Sequence, residues 1–145
     1  MNKRFYVDSS VYLNLWQKES SRVLKFGEIA KDFFDKAKES GAKIYYSGHL
    51  LKELQFVLKI QNYLEKMEMF EKTPNFGRIF LSREEAIEAE KIFRQRREDV
   101  GWYDVVHMVL SKKMKATLVT RDKALLKPCR RYDVQANLPE DVVFI

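Results

Sequence analysis

The chain has 145 residues, 46% hydrophobic and 33% charged, a composition that excludes a disordered polymer and favours a globular protein with a basic net charge of +6. Its only cysteine, Cys129, excludes an internal disulfide framework and is typical of a reducing cytoplasm. No apolar stretch approaches the ~20 residues of a membrane span, and the charged N-terminus lacks the apolar core of a signal peptide. We therefore expect one domain over residues 1–145, in the cytoplasm, with no membrane partner.

The first half of the chain alternates strand-like and helix-like segments. In chain order the sequence predicts a strand at residues 4–8, a helix through Trp16, a helix at 21–40, a strand at 43–46 and a long helix from 47 toward 72. Asp8 or Ser9 can cap the first helix, and Gly41 ends the second. Ser47 is a good cap for the long helix, in which Glu53 lies at the edge of the apolar stripe.

The second half continues the alternation. A loop is expected at 73–77, an extended piece at 78–81, and a helix to about Asp99 that opens with a capping box of Ser82 and Glu85. After Gly101 we expect a helix from Asp104 through Met114, with Val105, Val106, Val109 and Leu110 buried and Asp104, His107 and Ser111 on another face. A buried strand at 116–120, a turn at 121–123 and a last strand in DVVFI complete the pattern, which favours a parallel-sheet α/β fold.

Four acidic residues occupy equivalent places in these units. Asp8 and Asp122 follow predicted strands, and Glu53 and Asp104 lie near the starts of predicted helices. In an open parallel sheet these positions share the edge where ligands bind. Carboxylates gathered there repel one another unless cations neutralise them, so the pattern indicates a divalent metal and phosphodiester chemistry.

Each of these acids also has an ordinary explanation. Asp8 and Asp104 could be helix caps or first-turn acids, Asp122 a turn residue and Glu53 a solvent-facing helix acid. Glu98 and Asp99, just before Gly101, could replace or support Asp104. His107, one helical turn after Asp104, could contact a metal, orient a carboxylate or fill a structural position. The functional hypothesis therefore depends on the four acids occurring together.

A basic stretch surrounds Asp122 in the sequence. Its members are Lys112, Lys113, Lys115, Arg121, Lys123, Lys127, Arg130 and Arg131. Such a stretch beside an acidic metal site suits a polyanion that must approach the metal, and the alternative is a solvated surface. The chain has no GxxxxGK[ST] loop, no GxGxxG fingerprint and no GxSxG elbow, which disfavours nucleotide-binding and serine-hydrolase folds.

Taken together, these residues resemble the PIN-domain ribonucleases, especially the small toxin-type (VapC-like) members, over nearly the whole chain. The resemblance rests on a strand ending in Asp8 with Ser10 two positions on, and on a helix that starts at Ser47 and carries Glu53. Its most specific part is Asp104 opening a helix before the strand LVTRD, which contains Thr120 and Asp122. The chain departs from the family in lacking the aromatic residue that often follows the final Asp.

The resemblance implies a three-layer α/β/α sandwich with a mainly parallel central sheet. It implies Mg²⁺ or Mn²⁺ held by Asp8, Glu53, Asp104 and Asp122, supported by Ser10 and Thr120, with Arg121 and Lys123 binding phosphates. The implied activity is metal-dependent hydrolysis of RNA. An antitoxin protein and a homodimer are the implied partners.

Two other functions remain open from the sequence. One is a catalytically weak PIN-like module that binds RNA or protein within a larger assembly. The other is a phosphatase of small substrates, which is disfavoured because Asp8-Ser9-Ser10 lacks the second acid of a DxD motif.

Overall fold

The computed structural model describes residues 3–17, 21–96 and 99–144, and a parallel sheet forms the centre of this part of the chain. The five strands found there are β1 (Arg4–Val7), β2 (Lys43–Ser47), β3 (Phe76–Ile79), β4 (Thr117–Val119) and β5 (Ala136–Asn137). Their order is β3-β2-β1-β4-β5, and every pairing is parallel. Tyr6 in the central strand lies opposite Tyr45 on one side and Leu118 on the other.

Helices cover both faces of the sheet. They are α1 (Ser9–Trp16), α2 (Ser21–Glu39), α3 (Gly48–Val57), α4 (Ile60–Lys72), α5 (Arg83–Arg96), α6 (Trp102–Lys113) and α7 (Lys123–Arg131), with a 3₁₀ turn at Pro139–Asp141. Within the described residues, none of these helices is long and apolar enough to cross a membrane.

The alternation of side chains along β1 explains the three layers. Phe5 and Val7 point to a core shared with α1, α2, α3 and α4, whereas Tyr6 points to a second core shared with α5, α6 and α7. Successive side chains of a strand face opposite sides of a sheet, so one strand contributes to both cores. The predicted α/β/α sandwich is therefore confirmed, and its central sheet is wholly parallel in the described residues.

Several helix ends follow the local sequence signals. The Asp8 side chain accepts a hydrogen bond from the Ser10 amide and caps α1, and the Ser47 hydroxyl accepts one from the Leu50 amide and caps α3. Gly41, with φ 74°, ends α2 because the left-handed conformation closes the helix without a Cβ clash. Ser82 and Glu85 form both reciprocal bonds of the predicted capping box.

The prediction of one long helix after Ser47 is wrong. The chain leaves helical geometry at Leu58 and Lys59, which separates α3 from α4. The break lets α4 bury Phe70 in the core, and Val57 and Leu64 on either side of it are more than half exposed.

Four further elements differ from the sequence predictions. β3 begins at Phe76, inside the expected loop, because its backbone pairs with β2. α6 begins at Trp102 rather than Asp104, and its residues 105–111, which include His107 and Ser111, are all buried because the helix packs against both α5 and the sheet. α7 was not predicted. Residues 142–144 of the expected last strand do not form a strand, and Phe144 packs against Phe5.

Candidate active site at the carboxyl edge of the sheet

The candidate site lies where the order of the strands reverses. The chain builds β1, β2 and β3 outward in one direction and then returns to the other side of β1 with β4. A crevice forms at the carboxyl ends of strands at such a switch point. Asp8 follows β1 and Thr120 follows β4, and the Asp8 amide donates to the Val119 carbonyl at 3.0 Å.

Asp8 is the most constrained acid of the site. It is only 4% exposed, and Oδ1 accepts hydrogen bonds from both the amide and the hydroxyl of Ser10. Oδ2 accepts the hydroxyl of Thr120 at 2.6 Å. Burial raises the pKa of Asp8, and the hydrogen bonds from Ser10 and Thr120 oppose that rise. The carboxylate is thus held in one orientation at the bottom of the crevice.

The hydroxyls on Asp8 also fix the loop that carries Asp122. The Thr120 hydroxyl accepts the Asp122 amide at 3.0 Å, and the Ser10 hydroxyl accepts the Arg121 amide at 3.1 Å. Asp122 in turn caps α7, because Oδ1 accepts the Ala124 amide at 3.0 Å. The loop between β4 and α7 is therefore tied to the same carboxylate that ends β1.

Asp104 shows that the four acids lie within electrostatic range of one another. Burial in the first turn of α6 raises the pKa of Asp104 from 3.8 to about 6, while the nearby His107 acts in the opposite direction. The charges of Asp8, Glu53 and Asp122 each raise it further. The site therefore concentrates negative charge at one place on an otherwise basic protein.

Glu53 joins the site through His107. Its side chain, 21% exposed, lies on α3, and Oε1 is 2.5 Å from Nε2 of the fully buried His107. Nδ1 of His107 is 2.7 Å from the hydroxyl of Tyr6, which is 2.7 Å from the hydroxyl of Ser47. Burial raises the pKa of Tyr6 far above its ordinary value, so this phenol keeps its proton.

The donor chemistry of the site fits a hard divalent cation, because all four acids offer carboxylate oxygens. No three Asp, Glu, His or Cys side chains of the described residues are arranged to hold an ion in one coordination sphere. Protein donors already occupy one oxygen each of Glu53 and Asp122 and both oxygens of Asp8. The donor types therefore fit a divalent cation, and the side chains of Glu53, Asp104 and Asp122 would have to turn toward Asp8 to complete a metal site.

The basic residues divide between two ends of the molecule. Arg121 forms a bidentate pair with Glu140 at 2.8 and 2.7 Å, and its guanidinium lies 4.5 Å from the centre of the Phe26 ring. Lys123 is exposed at the start of α7, beside Asp122. Lys115 lies instead at the amino edge of the sheet, where it lines a cavity of about 890 Å³ with Arg4 and Lys43. The basic stretch surrounds Asp122 in the sequence but only partly in space.

Two further outcomes concern residues around the site. The sequence did not indicate that the Tyr6 hydroxyl contacts His107 and Ser47. The alternation of side chains in β1 nevertheless places Tyr6 on the α6 side of the sheet. Of the alternative acids, Asp99 is exposed and bound to Arg96, and Glu98 lies outside the described residues.

Comparisons with known proteins agree with this arrangement. A family model of the PIN domain matches residues 5–130. No sequence among curated proteins matches the chain. The crystal structure of FitAcB from Neisseria gonorrhoeae is similar with a TM-score of 0.66 and 16% identity, over 95% of this chain and 99% of that one.

A second solved structure is also similar. VapBC2 from Rickettsia felis, crystallised with a DNA fragment from their promoter, has a TM-score of 0.61 and 15% identity, over 93% of this chain and 98% of that one. At these identities the likeness shows a shared fold. Since the family match extends over most of the sequence and the architecture agrees with it, this chain belongs to the PIN-domain family.

Proposed function

We propose that this protein is a metal-dependent endoribonuclease that hydrolyses phosphodiester bonds of single-stranded or looped RNA. The observation that carries the proposal is the Thr120 hydroxyl, which bonds to the Asp8 carboxylate after β1 and to the Asp122 amide after β4 and so brings two of the acids to one edge of the sheet. The charges of Asp8, Glu53 and Asp122, which all act on Asp104, support it. Gathering four carboxylates at one edge of the sheet is unfavourable without a neutralising cation. A divalent ion removes that repulsion, and PIN domains are generally metal-dependent nucleases.

In this proposal Asp8, Glu53, Asp104 and Asp122 hold Mg²⁺ or Mn²⁺. A bound ion of this kind supplies Lewis-acid polarisation of the scissile phosphate and makes water a stronger nucleophile at neutral pH. The protein contributes the orientation of the ligands, since Ser10 and Thr120 hold the Asp8 carboxylate. Burial around Asp8 keeps competing water away from it.

The charge of α7 supports an anionic substrate. Lys123, Lys127, Arg130 and Arg131 are all exposed on this helix, whose N-cap is Asp122. Lys123 lies beside the acids and can bind a phosphate next to the scissile bond, whereas Arg130 lies at the other end of the helix, where it lines a cavity with Lys115. Arg121 joins this set only if it exchanges its pairing with Glu140 for a phosphate.

We further propose that the protein acts as the toxin of a toxin–antitoxin pair, with an antitoxin protein and a second copy of itself as partners. The sequence resemblance to toxin-type PIN proteins and the fold shared with FitAcB and VapBC2 support this role. Exposed apolar side chains between residues 56 and 64 are consistent with a surface that contacts another protein. Light scattering of the purified protein tests the homodimer.

The nuclease activity is tested by incubating a structured RNA pool with purified protein and Mn²⁺ or Mg²⁺, with and without EDTA. The variants are Asp104→Asn and Asp8→Asn, with Asp141→Asn at an exposed position as the matched control. Asparagine caps a helix as well as aspartate does, so Asp8→Asn should remain folded. We expect EDTA and both site variants to abolish cleavage and Asp141→Asn to leave it unchanged. Cleavage that survives EDTA contradicts a metal-dependent site.

A second candidate function is a catalytically weak PIN-like module that binds RNA or protein. It is favoured by the observation that no metal-binding arrangement is preformed in the described residues. The same experiment separates the two functions if RNA binding is measured by filter retention alongside cleavage. Retention without cleavage at any divalent ion concentration favours the binding module.

A further inference from the structure

A continuous chain of buried hydrogen bonds leads from β2 through β1 to the candidate site. Its members are Ser47, Tyr6 and His107, which are at most 1% exposed, and it ends on Glu53. The three groups come from a strand end, a strand interior and a helix. The nuclease proposal above does not use this chain of hydrogen bonds.

The direction of the last bond follows from the donors and acceptors. The Leu50 amide donates to the Ser47 hydroxyl oxygen at 3.2 Å. The Glu53 carboxylate only accepts, so Nε2 of His107 carries a hydrogen and donates to it. The hydroxyls of Tyr6 and Ser47 can each donate or accept, so the Tyr6 hydroxyl pairs with Nδ1 of His107 whether or not that nitrogen carries a hydrogen. Every polar side chain of this hydrogen-bonded chain therefore has a partner.

We infer that His107 is a positioning residue that holds Glu53 for a divalent cation and is itself held in place by Tyr6 and Ser47. This inference rests on the proposed nuclease function. His107 contacts only Oε1 of Glu53, so Oε2 remains for a cation. Carboxylate ligands held by a second hydrogen-bonded group bind metals about 10–100-fold more tightly than the same ligands without it.

A purely structural role for Ser47, Tyr6 and His107 does not explain why their hydrogen bonds end on Glu53. A buried polar chain is costly unless every member is paired, and apolar side chains would fill the same interior without that requirement. Here the chain is fully paired, and its last bond goes to the half-buried Glu53 at the rim of the site rather than to a backbone group. The hydrogen bonds therefore define the position of one functional carboxylate.

The hydrogen on Nε2 can be tested on the unmodified protein. The chain has two histidines, so a long-range ¹⁵N correlation spectrum contains two ring systems, and a His49→Gln variant assigns them. We expect Nε2 of His107 to carry a hydrogen. An Nε2 without a hydrogen would overturn the inference, and this measurement does not depend on whether any His107 variant folds.

The positioning role can be tested by matched amide variants of His107. In His107→Gln the amide nitrogen reaches the position of Nε2 and can still donate to Glu53, whereas in His107→Asn the amide reaches only the position of Nδ1. Mn²⁺ affinity, measured by electron paramagnetic resonance of the free ion, requires no RNA. We expect the dissociation constant to rise about 10–100-fold in His107→Asn and to stay near the unmodified value in His107→Gln.

The outcomes separate this inference from the nuclease proposal. Equal Mn²⁺ affinity of His107→Asn and the unmodified protein overturns the positioning role and leaves the nuclease proposal intact. An equal loss of affinity in both variants also overturns it, because the Gln side chain retains the donor. If the unmodified protein binds no Mn²⁺, both the metal-dependent function and the positioning role are wrong.

Discussion

The hydroxyl of Thr120 donates a hydrogen bond of 2.6 Å to Oδ2 of Asp8, although 112 residues separate the two in the sequence. The same Thr120 oxygen accepts the Asp122 amide at 3.0 Å. One hydroxyl therefore links the acid that ends β1 to the loop that carries the acid after β4. Because β1 and β4 are neighbours at the switch point of the sheet, this link can form only when the two strands are paired.

Replacing Thr120 by valine should disturb Asp8 without altering the shape of the core. The substitution removes the hydrogen bond to Oδ2 and frees the carboxylate to rotate. We expect divalent-ion affinity and RNA cleavage to fall about 10–100-fold, as is typical when a group that orients a metal ligand is lost. Thr117→Val, at the start of β4 and away from the acids, is the control and should retain activity. Equal cleavage by the two variants would show that the Thr120 hydroxyl does not orient Asp8.

Asp104 should make the metal-free protein less stable as the pH rises. Its pKa is about 6 in the folded protein and 3.8 ordinarily, so the folded state binds the proton more tightly. This contribution to stability is complete below about pH 3.8 and is lost as the pH passes 6. Asp104→Asn removes this titration. At pH 7 we expect the free energy of unfolding of the variant to be about 1–2 kcal/mol higher than that of the unmodified protein, after allowance for partial solvent screening.

Urea denaturation in EDTA at pH 4 and pH 7 measures this difference in the free energy of unfolding. Asp8, whose pKa is also raised by burial, titrates in both proteins, so only its interaction with Asp104 enters the difference. Asp141→Asn, at an exposed position, should show no increase in the free energy of unfolding between pH 4 and pH 7 relative to the unmodified protein. A variant less stable than the unmodified protein at pH 7 would mean that the Asp104 carboxylate is stabilised by a contact that outweighs burial.

Divalent ions should stabilise the folded protein by an amount that rises with the logarithm of their concentration above the dissociation constant. At an ion concentration of 100 times the dissociation constant the gain is about 2.7 kcal/mol, or about 5–10 °C in the midpoint of thermal unfolding for a protein of this size. We expect a smaller shift at pH 5 than at pH 8, because protons compete with the ion for Asp104. Asp8→Asn should show little shift, and NaCl of equal ionic strength provides the control.

Tyr12 offers a test of the core beside the site. Its side chain is 1% exposed among Trp16, Phe34 and Phe70, and its hydroxyl contacts no hydrogen-bonding partner within the described residues. Removing an unsatisfied buried hydroxyl relieves its desolvation cost. Tyr12→Phe should therefore leave the free energy of unfolding unchanged or raise it, by up to about 1 kcal/mol.

Tyr6→Phe is the matched control for Tyr12→Phe, because the Tyr6 hydroxyl is bonded to both Ser47 and His107. The loss of those two bonds should lower the free energy of unfolding by about 1–3 kcal/mol. Chemical denaturation at one pH compares the two variants. A comparable loss in Tyr12→Phe would reveal a partner of that hydroxyl outside the described residues.

Local patterns in the sequence were sufficient to predict the elements that depend on short-range chemistry. Asp8, Ser47 and the pair Ser82 and Glu85 cap helices because each side chain reaches an amide two or three residues away. Gly41 ends α2 because its left-handed backbone costs a glycine little. Alternating strands and helices indicated a parallel sheet, and a parallel sheet brings strand ends to a common edge. The gathering of four acids could therefore be expected before the fold was known.

Tertiary packing decided the rest, because it depends on contacts between residues far apart in the chain. No glycine or proline stands at Leu58 and Lys59, where the chain leaves helical geometry, and the break accompanies the burial of Phe70 in the core. His107 stands among the apolar residues of VVHMVL, which are typical of a buried helix, but the local sequence does not indicate its partners. It pairs with Tyr6 and Glu53 because β1, α3 and α6 meet at one place. Local sequence determines the caps and turns, whereas the partner of a buried polar group is determined by which elements the sheet brings together.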